Sequence, residues 1–438
     1  MRKFWRMIAA TMVLAAVLCV GACASDFDAA AEDLSAIGMF RGTGTGFELD
    51  RAPTRAEAAI MLVRLYGAEE EAAADYTAGK IQHPFKDVPS FAAPHVAWLY
   101  EKELTKGMSA DTFGASSACI VRDYTTFLLR ALGYQDGTDF AYADAETFAD
   151  EKGFYDWEII DWPFTRGNLA ALTYQALATD TKDGDTWLLE SLVESGAVDA
   201  EAAKPMMEKM EHYRTVCAAV EAVDKTAMDV RTEQLLQSRF VQGTEVKTSS
   251  VYTVSRIQTK VNGADVQMSY LSTTNTDGYL MDYGFWLKDG YTYTYVGDDA
   301  AGYGKKCRAE DPLAEMNEIL LMEGPKMDIP RLSRIELVTA EKDEECTVYT
   351  VTTRGDTETK SCYVLDQDGG LKELYTELTV YTEGANASIN GVDQTQYDAV
   401  KFYSQEISVF LASGKNVKVG YIDFSRFVEV EEHMDSES

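Results

Sequence analysis

Apolar positions recur at helical spacing through the first half of the chain and alternate through much of the second. The run Phe47 to Gly67, FELDRAPTRAEAAIMLVRLYG, and the run Phe113 to Gly133, FGASSACIVRDYTTFLLRALG, superpose without a gap at an offset of 66 residues. Phe47 and Phe113, Leu62 and Leu128, Arg64 and Arg130, and the closing Gly67 and Gly133 coincide, and the apolar positions between them agree in type. Each run predicts an amphipathic helix stopped by glycine. A second helical element precedes each one: AAEDLSAIGMFRG ends at Gly42 and HVAWLYEKELTKG ends at Gly107. A more degenerate copy runs from about Tyr142 through FTRGNLAALTYQALAT to Thr179, with Thr165-Arg166 in the place of Thr54-Arg55. Helix, basic-glycine turn, loop and helix thus make a unit that occurs three times, over about residues 26–67, 83–133 and 142–180.

Residues 186–236 keep a helical pattern, with TWLLESLVESGAV followed by a charged amphipathic stretch from Glu201 to about Val223, and read as a helical connector. The period then changes. SSVYTVSRIQTKVNGADVQMSYLS alternates around Asn262-Gly263, and YGFWLKDGYTYTYVG around Asp289-Gly290, which predicts hairpins. The stretch from Cys346 to Gly384 adds three more strands, and helical interruptions near Pro312 to Met322 and Gln396 to Leu411 are expected to cover one face. The expected fold class is α+β and multidomain: an all-α pseudo-threefold repeat domain, the connector, and an antiparallel curved sheet domain over residues 237–432 with covering helices, then a tail over 433–438.

The amino terminus places Arg2, Lys3 and Arg6 before an apolar run from Met7 to Val20 and then small residues, which is the form of an export signal over residues 1–24. The run is shorter than the ~20 residues a membrane-spanning helix needs, and no other stretch qualifies. Ala22-Cys23-Ala24 suits ordinary cleavage before Ser25, while Val20-Gly21-Ala22-Cys23 resembles a lipobox, in which Cys23 would carry lipid.

Charge and chemistry narrow the reading. Forty Lys plus Arg against 72 Asp plus Glu give a net charge of −32, which repels nucleic acid and anionic lipid, so neither is an expected partner; membrane contact is confined to the signal segment or a lipid anchor. Seven cysteines, two of them in the signal region, do not make a dense disulfide framework, and none has the CxxC spacing of a zinc site. Cys346 and Cys362, with Arg354-Gly355-Asp356 between two alternating runs, are the one pair placed to form a disulfide. Asp366-Gln367-Asp368-Gly369 and Asp183-Gly184-Asp185 read as turns rather than calcium loops. His83, His95, His212 and His433 stand in unrelated contexts, without HExxH, GxSxG or a phosphate loop, so no catalytic residue, metal or cofactor is expected.

Thr54-Arg55-Ala56-Glu57 opens the first unit's second helix. Thr at the N-cap with Glu three residues on is a capping box whatever else the protein does. Arg55, however, sits at the positive end of the helix dipole, a placement costing about 0.3–1 kcal/mol unless an anion meets it. Its guanidinium fork suits a carboxylate.

These copies resemble S-layer homology domains. The resemblance rests on Thr54-Arg55-Ala56-Glu57, on the turns Arg41-Gly42 and Lys106-Gly107, and on Phe85-Lys86-Asp87-Val88 leading to Trp98, and covers about residues 26–180. It implies a non-catalytic surface protein anchored to the wall of a Gram-positive-type bacterium through secondary cell-wall polysaccharide, often pyruvylated, bound in grooves between repeats. Arg55 would pair with the ketal carboxylate, and Trp98 would either stack on a sugar or pack in the core. The second copy has Val121 at the Arg55 position and Arg122 one place later, about 100° around the helix. The third keeps Thr165 and Arg166 but has Asn168 for Glu57. Arg55 is therefore the first candidate, Arg166 the second and Arg122 the last. The C-terminal half is more faintly similar to LolA-like lipoprotein carriers, through FWLKDGYTYTY and YVLDQDGGLKELY. That implies an alternative, a lipid-anchored protein carrying an acyl ligand. The sequence leaves the oligomeric state open.

Overall fold

The computed structural model describes residues 27–157, 160, 163–184, 186–224, 228–242, 245–261, 266–274, 279–288, 291–296, 304–308, 327–353, 357–383, 388–389, 392–393, 399–413 and 427–429. The signal segment, Cys23, the Asn262-Gly263, Asp289-Gly290 and Arg354-Gly355-Asp356 turns, the Pro312 to Met322 segment and the 433–438 tail lie outside them.

The first described part is helical: α1 (Asp28–Ala36), α2 (Arg55–Leu65), α3 (Glu69–Thr77), α4 (Ala93–Glu101), α5 (Val121–Ala131), α6 (Ala145–Glu151), α7 (Arg166–Leu177), α8 (Leu188–Glu194) and α9 (Ala200–Glu221). Helices α2 and α7 both start at capping boxes. Thr54 Oγ1 accepts from the Glu57 N–H at 3.2 Å, and the Glu57 carboxylate accepts from the Thr54 N–H at 2.8 Å. Thr165 and Asn168 repeat the exchange at 3.2 and 2.9 Å, so the neutral amide caps as the glutamate does. Helix α5 has Ile120 at this position and no side-chain cap.

The other three helix ends of the units also match. After α1, α4 and α6 the chain turns through a left-handed residue, Gly38, Glu103 and Gly153, and the next N–H closes on the helix: Met39 to Leu34 O at 2.9 Å, Leu104 to Leu99 O at 2.9 Å, Phe154 to Ala149 O at 3.2 Å. Glu103, at φ 57°, holds this conformation with a side chain.

Neighbouring helix starts are stitched to the loop before the next helix. Arg55 and Ala56 donate backbone N–H bonds to Ser117 O (2.9 Å) and Ala115 O (3.1 Å), ahead of α5. Arg166 and Gly167 donate likewise to Arg51 O (2.8 Å) and Leu49 O (2.9 Å), ahead of α2. Orphan donors of two helix N-termini are thereby satisfied between units rather than by water.

The strands form one twelve-stranded sheet in the order β14-β6-β5-β4-β3-β2-β1-β13-β10-β9-β8-β7. They are β1 (Met228–Gln242), β2 (Glu245–Val261), β3 (Val266–Thr274), β4 (Tyr279–Lys288), β5 (Tyr291–Val296), β6 (Gly304–Arg308), β7 (Ile335–Lys342), β8 (Cys346–Thr353), β9 (Thr357–Asp366), β10 (Leu371–Glu383), β13 (Ala399–Ser413) and β14 (Phe427–Glu429). β11 (Ser388–Ile389) and β12 (Val392–Asp393) pair separately. All ladders of the large sheet are antiparallel except β14 with β6.

One hydrophobic core runs from the helices into the sheet. Leu34, Leu128, Tyr174 and Met210 share it with Ile335, Val351, Tyr363 and Phe410. A second cluster, with Leu62, Phe85, Trp98 and Phe113, fills the space between α2, α3 and α4. At the seam, Lys209 of α9, 7% exposed, donates to Asp33 of α1 at 2.8 Å, and the Tyr174 hydroxyl donates to the same carboxylate at 2.9 Å. Arg331 donates to Asp156 at 2.6 Å.

Three expectations are corrected. Cys346 and Cys362 are free thiols. The β8–β9 register sets Cys346 opposite Asp366 and Cys362 opposite Thr350, four residues apart along the ladder. At about 3.3 Å per residue that is about 13 Å, beyond disulfide reach. The expected helix from Gln396 to Leu411 is instead mostly strand β13, and the expected connector to residue 236 ends early because β1 starts at Met228. Both strands are central. β13 pairs with β1 and β10, and β1 with β13 and β2, so pairing on two sides decides segments whose apolar positions also fit a helix.

Candidate functional site

The candidate residues gather at the helix starts and the turns between units. Glu57 is the hub of the first. Its carboxylate accepts from Arg51 at 2.7 and 3.0 Å, from the Thr54 N–H, and from Arg166 Nη1 at 2.7 Å. Burial alone pushes this carboxyl up, but the Arg51 and Thr54 hydrogen bonds and the Arg166 charge hold it down at about 2.

Arg55 and Arg166 occupy equivalent surroundings. Arg55 donates through Nε to Phe113 O at 3.2 Å and through Nη1 to Asp123 at 2.9 Å, with its guanidinium 5.3 Å from the Phe113 ring centre. Arg166 donates through Nε to Phe47 O at 2.8 Å and through Nη1 to Glu57, and lies 4.7 Å from the Phe40 ring centre. In each case the arginine at the first position of one helix meets the acid at the third position of the next. The pairing that would join α5 to α7 falls on Val121 and Asn168, which are both uncharged.

Access separates the two. The Arg55 side chain is 20% exposed and that of Arg166 5%. A third bond, from Arg166 Nη2 to Arg41 O at 3.1 Å, completes its enclosure, and burial lowers its pKa. Arg122, turned away from this position, is half-exposed, donates to Glu146 at 3.0 Å and lies 5.9 Å from the Tyr142 ring centre.

The turn residues have mixed roles. Arg41 is exposed and pairs with Glu69 at 3.0 Å, a carboxylate shared with Arg64. Gly42 lies in a small hairpin where an added Cβ would come within 3.1 Å of Gly46 O. Gly107, at φ 70°, abuts the Phe85 ring so closely that a Cβ would sit 2.3 Å from it. Lys106 beside it is exposed and has no ion-pair partner among the described residues. Trp98 is 6% exposed, in the α2–α4 cluster, with Tyr66 at 5.6 Å and no hydrogen-bond partner for its indole N–H among the described residues.

Asp123 escaped the sequence reading, and Asp87 entered it only as part of Phe85-Lys86-Asp87-Val88, without the contacts it makes. Asp123 is the partner that fixes Arg55, and the same 66-residue offset that aligns the units aligns it with Glu57. Asp87 accepts from the N–H groups of Phe113, Gly114 and Ala115 at 2.7, 2.7 and 3.0 Å, anchoring the loop that receives α2. These bonds lower its pKa against the opposing effect of burial. Among the described residues no group of three or more His, Cys, Asp or Glu is placed to hold a metal ion, and no helix is long and apolar enough to cross a membrane.

No curated protein matches the chain. Among solved structures, LprF from Mycobacterium bovis shows 9% identity over 48% of this chain and 96% of its own, with a TM-score of 0.25. A DUF1329 family protein from Desulfovibrio piger ATCC 29098 shows 12% identity over 49% and 97%, with a TM-score of 0.17. A putative outer membrane lipoprotein-sorting protein domain from Vibrio parahaemolyticus shows 8% identity over 48% and 95%, with a TM-score of 0.15. Residues 84–119, which hold Asp87, Trp98, Gly107 and the carbonyls that receive α2, match the model of the S-layer homology domain.

Proposed function

We propose that this is a non-catalytic, exported surface protein, held to the cell wall by its helical units and displaying the sheet domain. The observation that carries the reading is the seat of Arg55. Its backbone and side chain donate to Ser117 O and Phe113 O, inside the segment similar to the S-layer homology domain. In this reading the three helix pairs form a pseudo-threefold repeat, and the ligand is a secondary wall polysaccharide whose acidic substituent competes with Asp123 for Arg55. Arg166 and Glu57 lock two units together, and Arg122 is held by Glu146.

The test uses the full mature chain, because the repeats share their core with the sheet. Protein is pelleted with purified walls. Arg55→Ala lowers the bound fraction, and Asp123→Asn, which frees the guanidinium, raises it. If Arg55 is only structural, Asp123→Asn lowers binding or leaves it unchanged. Equal retention by walls stripped of the polymer overturns the reading.

A further inference from the structure

At the other end of the helices, the C-terminal ends of α6 and α7 meet α8, α9 and the segment before β7 around an open cleft of about 490 Å³. That volume lies within the ~300–1,000 Å³ usual for small-ligand sites. The lining is set apart by its charge. Lys152, Lys182, Arg214 and Arg331 face it with only Glu151 and Asp180 as acids, in a chain of net charge −32.

The partners of these cations are unequal. Lys182 holds Asp139 at 2.7 Å and Arg331 holds Asp156 at 2.6 Å, with both acids outside the lining. Arg214 holds Asp180 at 3.2 Å and lies 5.4 Å from the Trp187 ring centre. Lys152 has no carboxylate within ion-pair distance among the described residues. It lies 4.8 Å from the Phe148 ring centre and 5.3 Å from that of Tyr134.

Helix ends account for cations here, since their carbonyls favour positive charge. They do not account for Gln175. This residue of α7 is 9% exposed and lines the cleft, yet its side-chain amide has no hydrogen-bond partner among the described residues. The amide atoms themselves open onto the cleft, where a ligand hydroxyl would give them a partner. Thr179 and Thr181 add hydroxyls to the same wall.

We propose that this cleft binds a hexose-sized sugar bearing an acidic group, with Lys152 taking the anion and Gln175 a ring hydroxyl. The proposal does not rest on wall anchoring through Arg55. Calorimetry on the full chain with D-glucuronate, with glucose 6-phosphate and with neutral glucose tests it. Saturable binding of either acidic sugar, with glucose much weaker, supports the site, and the better of the two names the acidic group. Lys152→Met and Gln175→Met are each expected to weaken it at least about tenfold, while Lys152→Arg retains it and Arg55→Ala leaves it unchanged. Absence of saturable binding for both acidic sugars, equal affinity for glucose, or undiminished binding in folded Lys152→Met overturns the proposal.

Discussion

Replacing Glu57 by Gln isolates the charge at the junction of the first and third helical units. The carboxylate is depressed from an ordinary 4.5 to about 2, and its side chain is 21% exposed. Its folded pKa lies below the unfolded one, so its contribution is fully present above about pH 4.5 and is lost as pH falls toward 2. A displacement of that size corresponds to about 3 kcal/mol. Part of that figure is the pairing with Arg166, which is 5% exposed and would face a neutral amide in place of its carboxylate; breaking a buried pair costs about 3–5 kcal/mol, the upper bound here because Glu57 itself is 21% exposed. Denaturant unfolding of wild type and Glu57→Gln, followed from pH 7 down to pH 3, should show a gap of about this size at neutral pH that narrows below about pH 4.5. Taking the difference between the two proteins removes the other acidic groups, which titrate in both. The Glu57→Gln, Arg166→Met double variant should be less destabilised than the sum of the singles, since it removes the buried Arg166 guanidinium along with its carboxylate, while the more exposed Arg51 keeps Glu48. A gap under about 1 kcal/mol at neutral pH, or one that widens on acidification, refutes the role given to Glu57.

Other outcomes follow from local geometry. Glu103→Gly should raise stability by about 1 kcal/mol in thermal unfolding, because the exposed Glu103 holds φ 57° with a side chain that makes no ion pair among the described residues. Gly107→Ala should lower stability by more than about 1 kcal/mol, since its Cβ meets Phe85 and the backbone is left-handed. Cys119, Cys217, Cys346 and Cys362 should all titrate as thiols in denaturant without reductant, and Cys119, pushed up to about 12 by burial, should stay unreactive in the native protein.

Much of the helical half was legible because it is written more than once. The 66-residue offset fixed α2 and α5 together, and Thr165-Arg166 located α7 despite the loss of the glutamate. Helix α3, EEEAAADYT, falls between the aligned runs and was invisible to that comparison. In the sheet, the alternating hairpin segments were readable, whereas β1 and β13 were not. MDVRTEQLLQSRFVQ carries charges and apolar residues at spacings that suit either period, and only partners on both sides choose between them. The site was half visible. An arginine at a helix start announces the need for an anion but does not say whether that anion comes from a ligand or from the third residue of the neighbouring helix, and for Arg55 and Arg166 the structure supplies Asp123 and Glu57.

The shared core gives the seam between helices and sheet a mechanical meaning. Tension applied between the helical units and the sheet does not first pay out a loose tether. It loads the α1–α9 contact, with Lys209 and Asp33, and the Arg331–Asp156 bond from the outset. Such a joint resists by shear of packed side chains, so the chain would hold its length under load until the core itself yields.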